Sequence, residues 1–179
     1  MVKTIDTSTN KIIYSKFITY LHRDDNVLSD FILITTNQSK TLRISEKHLI
    51  AKMSSNKKVE FVLAKNLNLN DVLVINDAEN IIYEKITKIE NNVEETGVFA
   101  PLTESGTMLV DEILVSCYAN TYKQDLAHFV FKFYIYAKEL YELINENIFN
   151  NKISENQNGI QWFADFLLNS VPYSDKFLI

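Results

Sequence analysis

From residue 12 to about residue 118 the chain is a succession of short β-branched and aromatic runs, each cut off by a polar cluster. That rhythm constrains the fold more than any other feature. Residues 12–21 alternate roughly between apolar and polar. Residues 31–36 form a short apolar run, Asn37-Gln38-Ser39-Lys40 is a polar turn, and residues 41–44 resume the run, which together predict a hairpin. Further strands are predicted over residues 60–63, 72–75, 81–89 and 107–118, separated by Asn, Asp and Lys. Many short strands joined by polar turns predict a mainly β, sandwich- or barrel-like fold. Three glycines and two prolines are few punctuation marks for such a chain.

The pattern changes near Asn120. Over residues 125–147, Phe129, Phe133, Tyr136, Leu140, Leu143 and Ile144 recur every three or four positions and predict a long α-helix. A polar stretch follows at 150–158. Ile160, Phe163, Phe166, Leu167 and Val171 then predict a second α-helix that stops at Pro172. The expected organisation is therefore a β unit over 1–119 and a helical region over 120–179.

Composition removes several function classes. With 46% hydrophobic and 23% charged residues the chain is not wholly disordered. A net charge of −5 and no Lys/Arg block argue against a nucleic-acid partner. One cysteine, Cys117, permits neither an internal disulfide framework nor a Cys-cluster zinc site, and no cofactor or metal is implied. No apolar run reaches 18 residues, and the opening residues 1–6 do not read as the apolar core of an export signal.

Two segments could carry chemistry. In Ser45-Glu46-Lys47-His48-Leu49-Ile50 a hydroxyl lies three residues before a histidine, which sets both beside one backbone if the strand turns there. The same spacing also suits a helix N-cap serine followed by a surface histidine. The second segment is a loop, Gly97-Val98-Phe99-Ala100-Pro101-Leu102-Thr103-Glu104-Ser105-Gly106, running into a strand that ends Ser116-Cys117-Tyr118-Ala119. Read alone, Cys117 is equally a small buried hydrophobe. No G-x-S-x-G, P-loop or H-E-x-x-H pattern occurs.

Four blocks, in order, resemble the C-terminal autoprocessing (Hint, or Hog) domain of Hedgehog proteins. They are Ile44-Ser45-Glu46-Lys47-His48-Leu49; Ala100-Pro101-Leu102-Thr103 with Gly106-Thr107 and Ser116-Cys117-Tyr118-Ala119; Leu126-Ala127-His128-Phe129; and Asn158-Gly159-Ile160-Gln161-Trp162-Phe163-Ala164. The resemblance covers roughly residues 12–170. It implies a Hint fold of many short antiparallel strands, carried over 1–119, and an adduct- or sterol-recognition region over 120–179.

In that family a leading cysteine attacks the preceding peptide carbonyl to make a thioester, and a sterol hydroxyl then displaces the thioester. The resemblance assigns His48 the histidine that polarises the scissile amide and protonates its nitrogen, with Ser45 in place of the family threonine. It sets His22 where animal Hedgehogs carry the aspartate that activates the sterol. It matches Cys117 to the family's second cysteine, near the reaction centre but not initiating. Phe129, Phe133 and Trp162 are expected to hold lipid, with contact to a membrane surface through the helical region. The implied partners are a sterol or other lipid nucleophile and the precursor's own N-terminal signalling region, in a parent protein of the secretory pathway. The family's initiating cysteine has no match from residue 1 onward, so the chain alone is expected to be inactive. A second expectation is a non-catalytic Hint-fold module binding lipid or protein. A third is an enzyme completed in trans.

Overall fold

The computed structural model describes residues 1–119. They form ten strands: β1 (Val2–Asp6), β2 (Lys11–Ser15), β3 (Phe17–Thr36), β4 (Thr41–Ile44), β5 (His48–Met53), β6 (Val59–Leu63), β7 (Val72–Asp77), β8 (Asn80–Thr103), β9 (Thr107–Val110) and β10 (Ile113–Ala119). A single 3-10 turn, Ala64–Asn66, follows β6. Strands β1 and β2 pair with each other, and the other eight form one sheet in the order β4-β3-β8-β7-β10-β5-β6, with β9 on β10 and an extra β7–β5 contact.

Period-two patterning explains the edges of this sheet. Leu42 and Ile44 of β4 are buried while Thr41 and Arg43 are exposed, and Ile32, Ile34 and Thr36 of β3 face the core in the same way. The centre is buried on both faces. Leu73 and Ile75 of β7, Ile50 of β5, and Ile113, Val115 and Cys117 of β10 enter the main core. The intervening Val74, Ala51 and Leu114 point the other way and meet Ile5 of β1. The β1–β2 hairpin thus closes the second face. Burying one side chain such as Ile5 contributes about 1.5–3 kcal/mol. A buried hydrogen bond of 2.8 Å between the Thr4 and Thr107 hydroxyls fixes the hairpin against β9.

Strands β3 and β8 are 20 and 24 residues long. The first residues of β8 pair with β7, and the rest pair with β3 from Thr36↔Ile86 to Phe17↔Thr103. Their middle, around Asp24–Leu28, is irregular in register, and Val27, Leu28 and Phe99 are exposed there. The Asp24 carboxylate accepts the amides of Asn26 and Val27 at 2.9 and 3.2 Å, which bends the strand without ending it.

Several expectations are corrected. The predicted strand over 12–21 divides between β2 and β3, and the one over 107–118 divides at the Asp111–Glu112 turn. The supposed loop at 97–101 is part of β8, with Pro101 opposite Tyr20 beside a register shift, a position that tolerates a missing N–H. Strands β1 and β5 carried no sequence expectation. The fold class is mainly β as expected, but the two C-terminal α-helices do not stand. The described residues contain no α-helix, because the 3.6-residue periodicity lies wholly beyond Ala119 and everything before it carries strand or turn patterning. Residues 125–147 and 160–171, on which those helices were predicted, lie outside the described residues.

Candidate functional site

The segment between β4 and β5 turns at Glu46 and Lys47, and the His48 amide donates to the Ser45 carbonyl at 3.0 Å. One β-turn therefore carries Ser45 on its entry and His48 on its exit, and no helix starts there, so the capping reading falls. The Lys65 amide donates to the Glu46 carbonyl at 2.9 Å and ties the turn to the 3-10 segment.

His48 is partly buried, and its Nε2 lies 3.1 Å from the Ser116 carbonyl oxygen. A carbonyl only accepts, so Nε2 carries the proton and the neutral ring keeps its lone pair on Nδ1. Burial pushes the imidazole below its ordinary pKa, and the Ser116 carbonyl opposes that shift more weakly. Burial therefore favours the uncharged ring, with Nδ1 as its acceptor nitrogen.

The Ser116 carbonyl reaches His48 because β10 bulges. Between Ala119↔His48 and Val115↔Ile50, β10 takes four steps where β5 takes two. The excess residues also break the alternation: Cys117 and Tyr118 are consecutive, yet both enter the main core.

Cys117 is 1% exposed. Burial raises its thiol pKa, and contacts with Thr103 pull it back only in part. Thr103, itself fully buried, donates its hydroxyl to the Thr107 carbonyl at 2.8 Å and meets the Cys117 sulfur at 3.4 Å. The turn between β8 and β9 is built for this: the Gly106 amide donates to the Thr103 carbonyl at 3.0 Å, and the Gly106 carbonyl accepts the Cys117 amide at 2.9 Å. Gly106 has φ +72°, a left-handed conformation that a side chain would strain. The Ser105 amide donates to the Ser15 hydroxyl at 2.9 Å, which links β2 to the same turn.

The structure brings His48 and Cys117 onto one wall, joined through Ser116, and sets Ser45 at its rim. His22 lies on β3 opposite Ala100, in the last stretch of the β3–β8 pairing before Thr103. No hydrogen bond joins it to His48 or Cys117. Phe129, Phe133 and Trp162 lie outside the described residues. Two participants carried no role in the sequence reading. Thr103 and Ser116 stood inside the quoted blocks, and the hydroxyls in an otherwise apolar run were the available signal.

A profile described as the Hint module matches residues 1–171. Warthog protein 6 of Caenorhabditis elegans is 31% identical over 126 residues, covering 69% of this chain and 21% of its own length. Protein hedgehog of Drosophila yakuba is 27% identical over 179 residues, covering 93% of this chain and 38% of its own. The chain thus spans well under half the length of these relatives. Among solved structures, an intein from a hyperthermophile aligns with a TM-score of 0.56 at 14% identity, over 64% of this chain and 70% of that one. A DnaB intein from Synechocystis aligns with a TM-score of 0.54 at 14% identity, over 64% and 76%. These two likenesses establish the fold that the chain shares with inteins. Matched along nearly its whole length, the chain belongs to the Hint module family, as a Hint domain of the hedgehog type.

Proposed function

We propose that this Hint domain serves cysteine-dependent self-cleavage through a thioester, with His48 moving the proton. The carrying observation is a His48 ring held through Nε2–H by the Ser116 carbonyl, with burial favouring its neutral form, which leaves Nδ1 as the acceptor nitrogen at the exit of the Ser45 turn. In the first step a cysteine thiol adds to the carbonyl of the peptide bond before it. Nδ1 takes the thiol proton and returns it to the amide nitrogen as the C–N bond breaks, leaving a thioester and a free amine. A ring that burial makes reluctant to hold a proton releases it readily, which suits the second half of that transfer. A positioned acid–base group of this kind contributes about 10²–10⁴-fold. Ser45 is assigned to orient the scissile carbonyl.

Cys117 is not that nucleophile. It is buried, and burial raises its thiol pKa, so the nucleophile is assigned to a cysteine N-terminal to the residues of the domain. In the second step a sterol hydroxyl attacks the thioester and the C–S bond breaks, returning the thiol and forming an ester. His22 is assigned to take the hydroxyl proton, and Phe129, Phe133 and Trp162, in the region after residue 119, to hold the lipid. The parent protein would pass through the secretory pathway.

The test is thiol-induced cleavage of a reporter fused ahead of the chain, with and without an intervening Gly-Cys-Phe-led segment from a hedgehog relative. Cleavage by dithiothreitol is expected only with the segment, and cleavage by sterol only when residues 120–179 are also present. Unchanged cleavage in His48→Ala would remove His48 from the reaction.

A further inference from the structure

We propose that Ser116 is a positioning residue for His48, its side chain clamping the β10 bulge so that its own carbonyl fixes the imidazole. The idea rests on the self-cleavage reading for its purpose, but it can be measured without any cleavage.

A bulge takes backbone groups out of the strand ladder, and buried groups then need other partners. Here each displaced group named in the geometry has one. The Cys117 amide donates to the Gly106 carbonyl, the Tyr118 amide donates to the Ser116 hydroxyl oxygen at 3.1 Å, and the Ser116 carbonyl accepts from His48. The middle bond is the informative one. A side-chain oxygen accepting the amide two residues ahead is a short-range turn that Ser, Thr, Asn and Asp can make and Ala cannot.

Position 116 is also an unfavourable place for a hydroxyl unless it has work to do. Ser116 is fully buried between Val115 and Cys117, which are 3% and 1% exposed and both belong to the main core. Alanine would fit the space and suit the neighbours. It would remove the hydroxyl to which the Tyr118 amide donates, and the bulge would lose the bond that holds the Ser116 peptide plane toward His48. The consequence for the ring is specific: the Ser116 carbonyl is what decides that Nε2 and not Nδ1 carries the proton.

Nitrogen-15 NMR of histidine-labelled 179-residue chain reads the tautomer directly, with His48 assigned by its loss in His48→Gln. Wild-type His48, when neutral, is expected entirely as the Nε2–H form. Ser116→Ala should give a mixture of both tautomers, Ser116→Thr should restore the single form, and Thr87→Ala, which removes an exposed hydroxyl on β8 bonded to the Thr35 carbonyl, should change nothing. A single Nε2–H form persisting in a folded Ser116→Ala protein overturns the proposal. So does an Nδ1–H form in the wild type, a result that stands even where Ser116→Ala does not fold. In the cysteine-led fusion, Ser116→Ala should slow thiol-induced cleavage at least about tenfold, in line with the sensitivity of such steps to small misplacements, with Ser116→Thr recovering it. A fixed tautomer in a fusion that never cleaves would strike down the self-cleavage reading and leave the clamp intact.

Discussion

The β5–β10 wall and the middle of the β3–β8 ribbon are both antiparallel pairs with irregular register, and they use the irregularity in opposite ways. In the wall the bulge is enclosed. Ser116 and Cys117 are nearly inaccessible, and the displaced groups are rebonded to a histidine, a glycine carbonyl and a serine hydroxyl. In the ribbon the break around Asp24–Leu28 is open to water, where Asp24 caps its own turn, Arg23 pairs with Asp25 at 3.4 Å, and Val27 and Leu28 are exposed. An irregularity in water is satisfied by solvent and constrains little. An irregularity in a core must be satisfied by named partners, and those partners become a device for aiming a side chain.

The sharpest way to break this contrast is kinetic. In the cysteine-led fusion, His48→Ala should lower thiol-induced cleavage by about 10²–10⁴-fold, while Leu28→Ser in the ribbon should leave it unchanged; gel analysis of a time course decides. Stability gives the next contrast. Ile34, fully buried in the part of β3 that joins the core, should cost about 2–5 kcal/mol when cut to alanine. Leu28→Ala, a change at an exposed position of the same strand, should stay within about 0.5 kcal/mol. Urea denaturation of both variants measures the difference.

Acidity sharpens the comparison further. The folded state depresses the His48 pKa below the ordinary value of 6.5, so below that value the unfolded chain binds the proton more readily. Stability should therefore fall as pH drops through about 6.5 and below. His48→Gln should flatten that dependence in pH-resolved denaturation curves. The smallest effect concerns a turn remote from both regions. Ala78 and Glu79 form the β7–β8 turn at φ +45° and +67°, which suits Asn-Gly. The double change Ala78→Asn, Glu79→Gly should raise the midpoint of thermal unfolding and add about 1 kcal/mol, even though it removes the exposed Lys3–Glu79 ion pair.

What the sequence made legible follows from range. The hairpin of β3 and β4, the strand at β7 and the Ser45–His48 turn are local, and their residues announce them within a few positions. The Thr103-to-Gly106 turn was equally readable as a block, because its glycine occupies a conformation few residues accept. The bulge was not readable. It depends on how β10 registers against β5, some 65 residues away, and nothing in Ser116-Cys117-Tyr118-Ala119 shows which amides will lose their partners. The ribbon was misread for a related reason: the run from Gly97 to Pro101 reads as a loop, but pairing with β3 carries β8 through it. The Asp111–Glu112 turn escaped notice because it adopts positive φ without glycine.

The length of the β3–β8 pairing has a consequence in time. Phe17 pairs with Thr103, residues about 86 positions apart, and the pairing continues inward to Thr36↔Ile86. Contacts of such separation must close a long loop before they return any stabilisation, which makes chains of this topology fold on the scale of about milliseconds to seconds. Thr103 reaches Cys117, and His22 finds its place on the sheet, only when that closure is complete. During synthesis, the part of β3 that precedes its local hairpin with β4 must wait for its partner while the ribosome makes the next several dozen residues. The histidine turn at 45–48 forms early and locally, but the wall it faces is among the last parts to exist. Chemistry at such a site is silent by construction until the domain has finished folding.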